Sequence, residues 1–161
     1  MAERIEILRK YIDELIVQVE ETREHRTVYT HLYGVSNLCA LIALKRNLDA
    51  ELAALTGLLH DLYTYTHLDS KDHARKGAIE AKKALDLLKI TSDEETDIIC
   101  TAIAEHSNKK DRHTDFTEML VDADVLQHFL ENVTMPVNDK EIKRYKKLKK
   151  EFGLKQGEKQ K

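Results

Sequence analysis

Four separate stretches of this chain put a histidine or an aspartate where a helix would normally carry an apolar residue. They hold His31, the adjacent pair His60-Asp61, His106, and Asp124. His31 lies three residues after Val28 and four before Val35, so it shares their helical face. His60 and Asp61 close an apolar run from Leu52 to Leu59. His106 follows Ile103 by three and Ala102 by four, and Asp124 follows Leu120 by four. Asp122 falls off that stripe and is expected to point away from the core. An unpaired imidazole or carboxylate in an apolar interior is costly. A fold that buries several must bring them together around something that satisfies them all, and a cation does so. Neutral imidazole with carboxylate suits Mn, Fe, Co, Ni, Zn or Mg. One divalent metal site assembled from four helices is therefore expected.

The apolar spacing is helical throughout. Ile5, Leu8, Ile12, Leu15 and Val19 step by three and four, which predicts an amphipathic N-terminal helix over residues 2–21. That helix is expected to pack on the core or to form a homodimer with a second copy of itself. Thr22–Thr30 is polar and reads as a bend. Val28, Leu32, Val35, Cys39 and Ile42 mark a second helix, and Asp49 is the expected N-cap of a third. Leu62–Ser70 shows no helical period and reads as a loop beside the site. Asp72 is the expected cap of a fourth helix, with His73, Gly77, Ala81 and Ala84 along one narrow face. Ser92 to Glu95 spells a capping box for a fifth. Asn108–Asp115 is a charged loop, and Phe116, Met119, Leu120, Ala123 and Leu126 mark a sixth helix. Pro136 ends this section, and a basic helix and tail are expected over 139–161. No alternating strand pattern, internal repeat or domain linker is visible. The expectation is an all-α single domain over 1–161, a compact bundle of about six to seven helices.

Composition agrees with that class. The 161 residues include one Pro and five Gly, and 34% are charged. The net charge of −3 is uneven: Asp139 to Lys161 carries ten Lys/Arg against four Asp/Glu. A basic tail can touch nucleic acid, but a solvated helix with a frayed polar end is the expected reading, without a nucleic-acid partner. No apolar stretch reads as a bilayer span or as a signal peptide, so no membrane partner is expected. Cys39 and Cys100 both fall in apolar helical patterns and are expected as reduced core thiols. A cytoplasmic location follows. Among the other histidines, His25 and His128 are expected at the surface, and His67 and His113 in polar loops.

The stretches Thr30-His31-Leu32-Tyr33-Gly34-Val35, Leu58-Leu59-His60-Asp61, Ala102-Ile103-Ala104-Glu105-His106 and Leu120-Val121-Asp122-Ala123-Asp124 carry a likeness. In order and spacing they resemble the HD-domain superfamily of metal-dependent phosphohydrolases, over roughly Glu24 to Glu131. The resemblance implies an HD-like core of about 24–131, folded as a helical bundle around the metal. It implies that His31, His60, Asp61 and Asp124 bind one metal ion. Members with two metals use further histidines at places similar to His73 and His106, so these two are expected to hold a second metal or to contact phosphate. The sequence leans towards one ion, because no carboxylate beyond Asp61 is evident to bridge a pair. Where many members follow the His-Asp pair with Gly-Lys, this chain has Leu62-Tyr63-Thr64. The Gly-Tyr-Pro signature of the cyclic-dinucleotide phosphodiesterases is absent.

The expected function is hydrolysis of a phosphate ester, of a nucleotide or another small phosphorylated metabolite. Asp61 is expected to act as both ligand and local base. Lys71, Arg75, Lys76, Lys109, Lys110 and Arg112 surround the two site loops and are candidates to neutralise phosphate charge. Two other readings belong to different classes. One is a regulatory module that binds metal or nucleotide without turnover. The other is a di-iron oxygenase, which requires both His73 and His106 as ligands.

Overall fold

In a computed structural model of the chain, residues 4–19, 22–108, 111–131 and 133–155 are described. They form eight α-helices and no strand: α1 Arg4–Val17, α2 Thr22–Arg46, α3 Ala50–Leu59, α4 Leu62–His67, α5 His73–Leu88, α6 Asp93–Glu105, α7 Asp115–Glu131 and α8 Ile142–Phe152. The fold is all-α, as the periodicity predicts. The expected N-terminal helix falls on α1 and the expected basic helix on α8.

The centre is α2, packed against α3 and α7, while α5 and α6 pair beside it. Val28, Leu32, Val35, Cys39 and Ile42 on α2 are buried, as are Leu55, Leu58 and Leu59 on α3 and Met119, Leu120 and Ala123 on α7. Two details bring α2 and α3 into backbone contact. The Ser36 hydroxyl donates to the Ala54 carbonyl at 2.9 Å. Gly57 faces Ser36 so closely that a Cβ there would lie 2.6 Å from the Ser36 Cα. This approach sets the distance between His31 on α2 and His60 at the end of α3. His25–Arg46 is in fact long and apolar enough, by length and composition, to cross a membrane. Here its apolar stripe is spent inside the bundle.

The caps at Asp49 and Ser92 form as expected. The Leu52 amide donates to the Asp49 carboxylate at 2.8 Å, and Ser92 and Glu95 close a capping box. Arg4 reaches from α1 to Glu51 at 2.6 Å and Glu95 at 2.9 Å. With Leu8, Ile12 and Ile16 buried, α1 belongs to the bundle of its own chain. A homodimer built on that stripe would have to release it.

Four local readings are corrected. Thr22–Thr30 is the start of α2: Arg26, Thr27 and Thr30 are exposed and Val28 alone is buried among residues 25–30, so a polar stretch there is no obstacle to a helix. Leu62–His67 is a one-and-a-half-turn helix, too short to show an apolar period; only Leu62 is buried, and Leu68 ends it in the left-handed region at φ 51°. Asp72 precedes α5 but does not cap it. Its φ is 55° and its carboxylate turns to Arg75 at 2.6 Å. Asp122 is fully buried. It accepts from Arg46 at 2.6 Å and Arg144 at 2.8 Å, because α8 covers what would have been the outer face of α7.

Candidate metal centre

The three helix-end histidines of the site obey one local rule. His60 follows α3, His106 follows α6, and His73 begins α5. Carbonyls at helix ends lack helical partners. His60 and His106 each use one, three residues earlier, donating from Nδ1–H to Gly57 at 2.8 Å and to Ile103 at 2.7 Å, while His73 donates to the carbonyl of Ser70, in the loop before α5, at 3.1 Å. A carbonyl can only accept, so the proton sits on Nδ1 in each neutral ring. His31 reaches the same state differently, donating from Nδ1 to the Glu131 carboxylate at 2.9 Å. All four rings therefore turn an Nε2 lone pair inward.

Those Nε2 atoms converge on two carboxylates. His31 Nε2 and His60 Nε2 stand 3.2 Å apart. Beside them, Asp61 Oδ2 lies 3.7 Å from His31 and 3.6 Å from His60. Asp124 Oδ1 lies 3.6 Å from His31 and 3.9 Å from His60. The other oxygen of Asp61, Oδ1, faces His73 at 3.6 Å and His106 at 3.5 Å. Asp61 thus offers one oxygen to each pair of histidines. Its Oδ1 is buried and makes no hydrogen bond. His60 is fully buried and His31 and His106 nearly so, while His73 is half-buried at the rim.

Electrostatics favour a neutral His60 beside an ionised Asp61. Burial pushes the His60 imidazole down to about 4, against the pull of Asp61. Burial would raise Asp61, but His60, His106 and His73 outweigh it and hold the carboxyl well below its usual range. His106 goes the other way: burial lowers it, yet its contact with Asp61 raises the ring above the ordinary imidazole value. Two lone pairs facing each other at 3.2 Å, flanked by the side chains of Asp61 and Asp124, make a cradle for positive charge. The donor set fits a divalent ion. His31, His60 and Asp61 form one group with metal-binding spacing, and Asp61, His73 and His106 a second.

The family model of the HD domain matches residues 28–152. The chain belongs to the HD-domain family. This is the superfamily of metal-dependent phosphohydrolases, whose domains bind divalent metals. The matched segment begins at Val28 on α2 and ends at Phe152 on α8, so it runs past the 24–131 core read from sequence. No curated protein and no solved structure matches the chain.

Every HD-domain candidate named from sequence as a metal or phosphate contact, His31, His60, Asp61, His73, His106 and Asp124, lies in this one cluster. The expected cationic rim is more scattered. Lys76 lies over the Tyr63 ring and pairs with Asp69 at 2.6 Å. Arg75 pairs with Asp72 and Lys71 is exposed, both close in sequence to His73. Arg112 lines a different cleft, of about 810 Å³, with Arg46, Arg144 and Lys147. Lys109 and Lys110 lie outside the described residues.

His128 is exposed, as expected, yet it belongs to the site: it stacks on His31 with ring centroids 5.4 Å apart and places Nε2 3.3 Å from Asp124 Oδ1. His31, Asp124 and His128 form a third group with metal-binding spacing. The signal was present in the spacing, since His128 stands one helical turn after Asp124. Glu131 had no such signal, because its partner His31 is a hundred residues away.

Proposed function

We propose that this HD-domain chain is a metal-dependent phosphohydrolase acting on a nucleotide or another small phosphorylated metabolite. The observation that carries it is the pair of inward lone pairs on His31 and His60, 3.2 Å apart beside Asp61 and Asp124. In this reading His31, His60, Asp61 Oδ2 and Asp124 hold one cation. His73 and His106, with Asp61, would hold a second. Bound metal polarises a phosphoryl oxygen and lowers the pKa of a bound water.

The chain's own residues do the rest. Asp61 joins the two halves, and its depressed proton affinity suits a ligand better than a base. Lys71, Arg75 and Lys76, near the start of α5, supply positive charge beside His73. The organic part of the substrate has a place next to His128. A cavity of about 360 Å³ there is lined by His128, Phe129, Met135, Pro136, Val137 and Glu141. Mixed apolar and polar walls of this size suit a small metabolite. The buried Cys39 and half-buried Cys100 are both free thiols, in keeping with a reducing compartment such as the cytoplasm.

The test is metal analysis of the purified protein, then a panel of nucleotides and sugar phosphates with the metal found. Turnover that disappears with the metal supports the reading. Metal-replete protein that binds nucleotide yet hydrolyses none supports the regulatory alternative. The placement of both His73 and His106 on Asp61 also meets the ligand requirement of a di-iron oxygenase. Iron content with visible absorption, and no phosphatase activity, would favour that chemistry.

A further inference from the structure

His31 is held unlike the other three histidines. It lies in the interior of α2, where the helix itself consumes the backbone carbonyls. Its Nδ1–H therefore needs a side-chain acceptor, and Glu131 at the end of α7 supplies one at 2.9 Å. Glu131 is held in turn. Gln127, one turn earlier, donates its amide to the same Glu131 oxygen at 3.3 Å and to the Thr30 carbonyl at 3.1 Å. Gln127 is buried against α2, and its amide occupies space that only glycine at position 34 leaves open. A Cβ on Gly34 would lie 2.3 Å from the Gln127 amide atoms.

We propose that Glu131 is the positioning residue of the metal centre, fixing the tautomer and orientation of His31, with Gln127 and Gly34 holding Glu131 in place. The inference rests on the metal-binding reading of the site and deepens it. His31 is nearly fully buried, so loss of the carboxylate strands an Nδ1–H and frees the ring to flip or to change tautomer. An outer carboxylate on a ligating histidine typically governs affinity by about 10- to 100-fold.

The experiment titrates Co²⁺ into metal-free wild type, Glu131→Ala and Glu131→Gln, reading affinity and the visible absorption band. In parallel, ¹H–¹⁵N NMR of the metal-free proteins reads the His31 tautomer. Glu131→Ala is expected to lose about 10- to 100-fold in Co²⁺ affinity, with His31 no longer a single Nδ1–H tautomer. Glu131→Gln keeps an accepting oxygen and is expected to stay within a few-fold of wild type. Wild-type affinity in Glu131→Ala overturns the proposal, and so does an equal loss in both variants. Wild type that takes up no Co²⁺ overturns the metal centre itself, and this proposal with it. Wild type that binds Co²⁺ and loses it in Glu131→Ala, but hydrolyses no phosphate ester, upholds the role of Glu131 and overturns the phosphohydrolase reading alone.

Discussion

His31 Nε2 lies 3.2 Å from His60 Nε2 while both rings commit their other nitrogen as a donor, to Glu131 and to Gly57. Two lone pairs cannot rest at that distance without a positive charge between them. His60→Ala and Asp61→Ala each remove one side of the cradle. Both are expected to purify with little or no tightly bound metal, as read by mass spectrometry of the protein. Stoichiometry equal to wild type in either would refute the assignment. Saturating the wild-type site at one hundred times its Kd should stabilise the fold by about 2.7 kcal/mol, visible as a rise in Tm.

Asp122 and Asp124 are two residues apart and should fail in different ways. Asp124→Asn alters a carboxylate beside His31 and His60 and is expected to lose metal with the fold retained. Asp122→Asn takes the negative charge from between Arg46 and Arg144, which meet it at 2.6 and 2.8 Å. It is expected to keep metal while losing about 3 kcal/mol in urea denaturation. Metal loss confined to Asp122→Asn would reverse the roles of the two aspartates.

Acidification should loosen the metal-free protein. Burial holds His60 at about 4, below the ordinary 6.5, so the unfolded chain binds this proton more readily than the folded one. Stability attributable to His60 therefore falls as pH drops from 6.5 towards 4. Asp61, also depressed, acts in the same direction below the usual carboxylate range. His106, raised by Asp61, has the opposite sign: its contribution is complete below the ordinary imidazole value and is lost as pH rises through its folded pKa. Thermal melts of metal-free wild type across this window should slope down towards acid. Replacing His60 with Gln should flatten that slope; an unchanged slope would mean that the imidazole is not buried neutral.

The cavity beside His128 should affect recognition rather than chemistry. Met135 lines it and is largely exposed. Met135→Glu is expected to raise KM for a hydrolysed nucleotide by about tenfold, with kcat and metal content unchanged. A fall in kcat at constant KM would place the substrate elsewhere.

Much of this was legible in the chain, for a local reason. Apolar residues repeating every three or four positions specify helices one by one, and they located His31, His60, Asp61, His106 and Asp124 on inward faces. The caps at Asp49 and Ser92 could be read for the same reason, since donor and acceptor are only three residues apart. Leu62–His67 could not, because a helix this short never completes an apolar period.

Sequence by itself determined the longer helices, most of their buried faces and the residue types at the centre. Only the tertiary structure decided how Asp61 divides its oxygens between two pairs of histidines, that Asp122 is enclosed by Arg46 and Arg144, and that Glu131 meets His31. The helical pattern reports which way a side chain points relative to its own axis. It does not report what another helix, up to a hundred residues away, brings to meet it, and that is where burial, pairing and ring orientation are set.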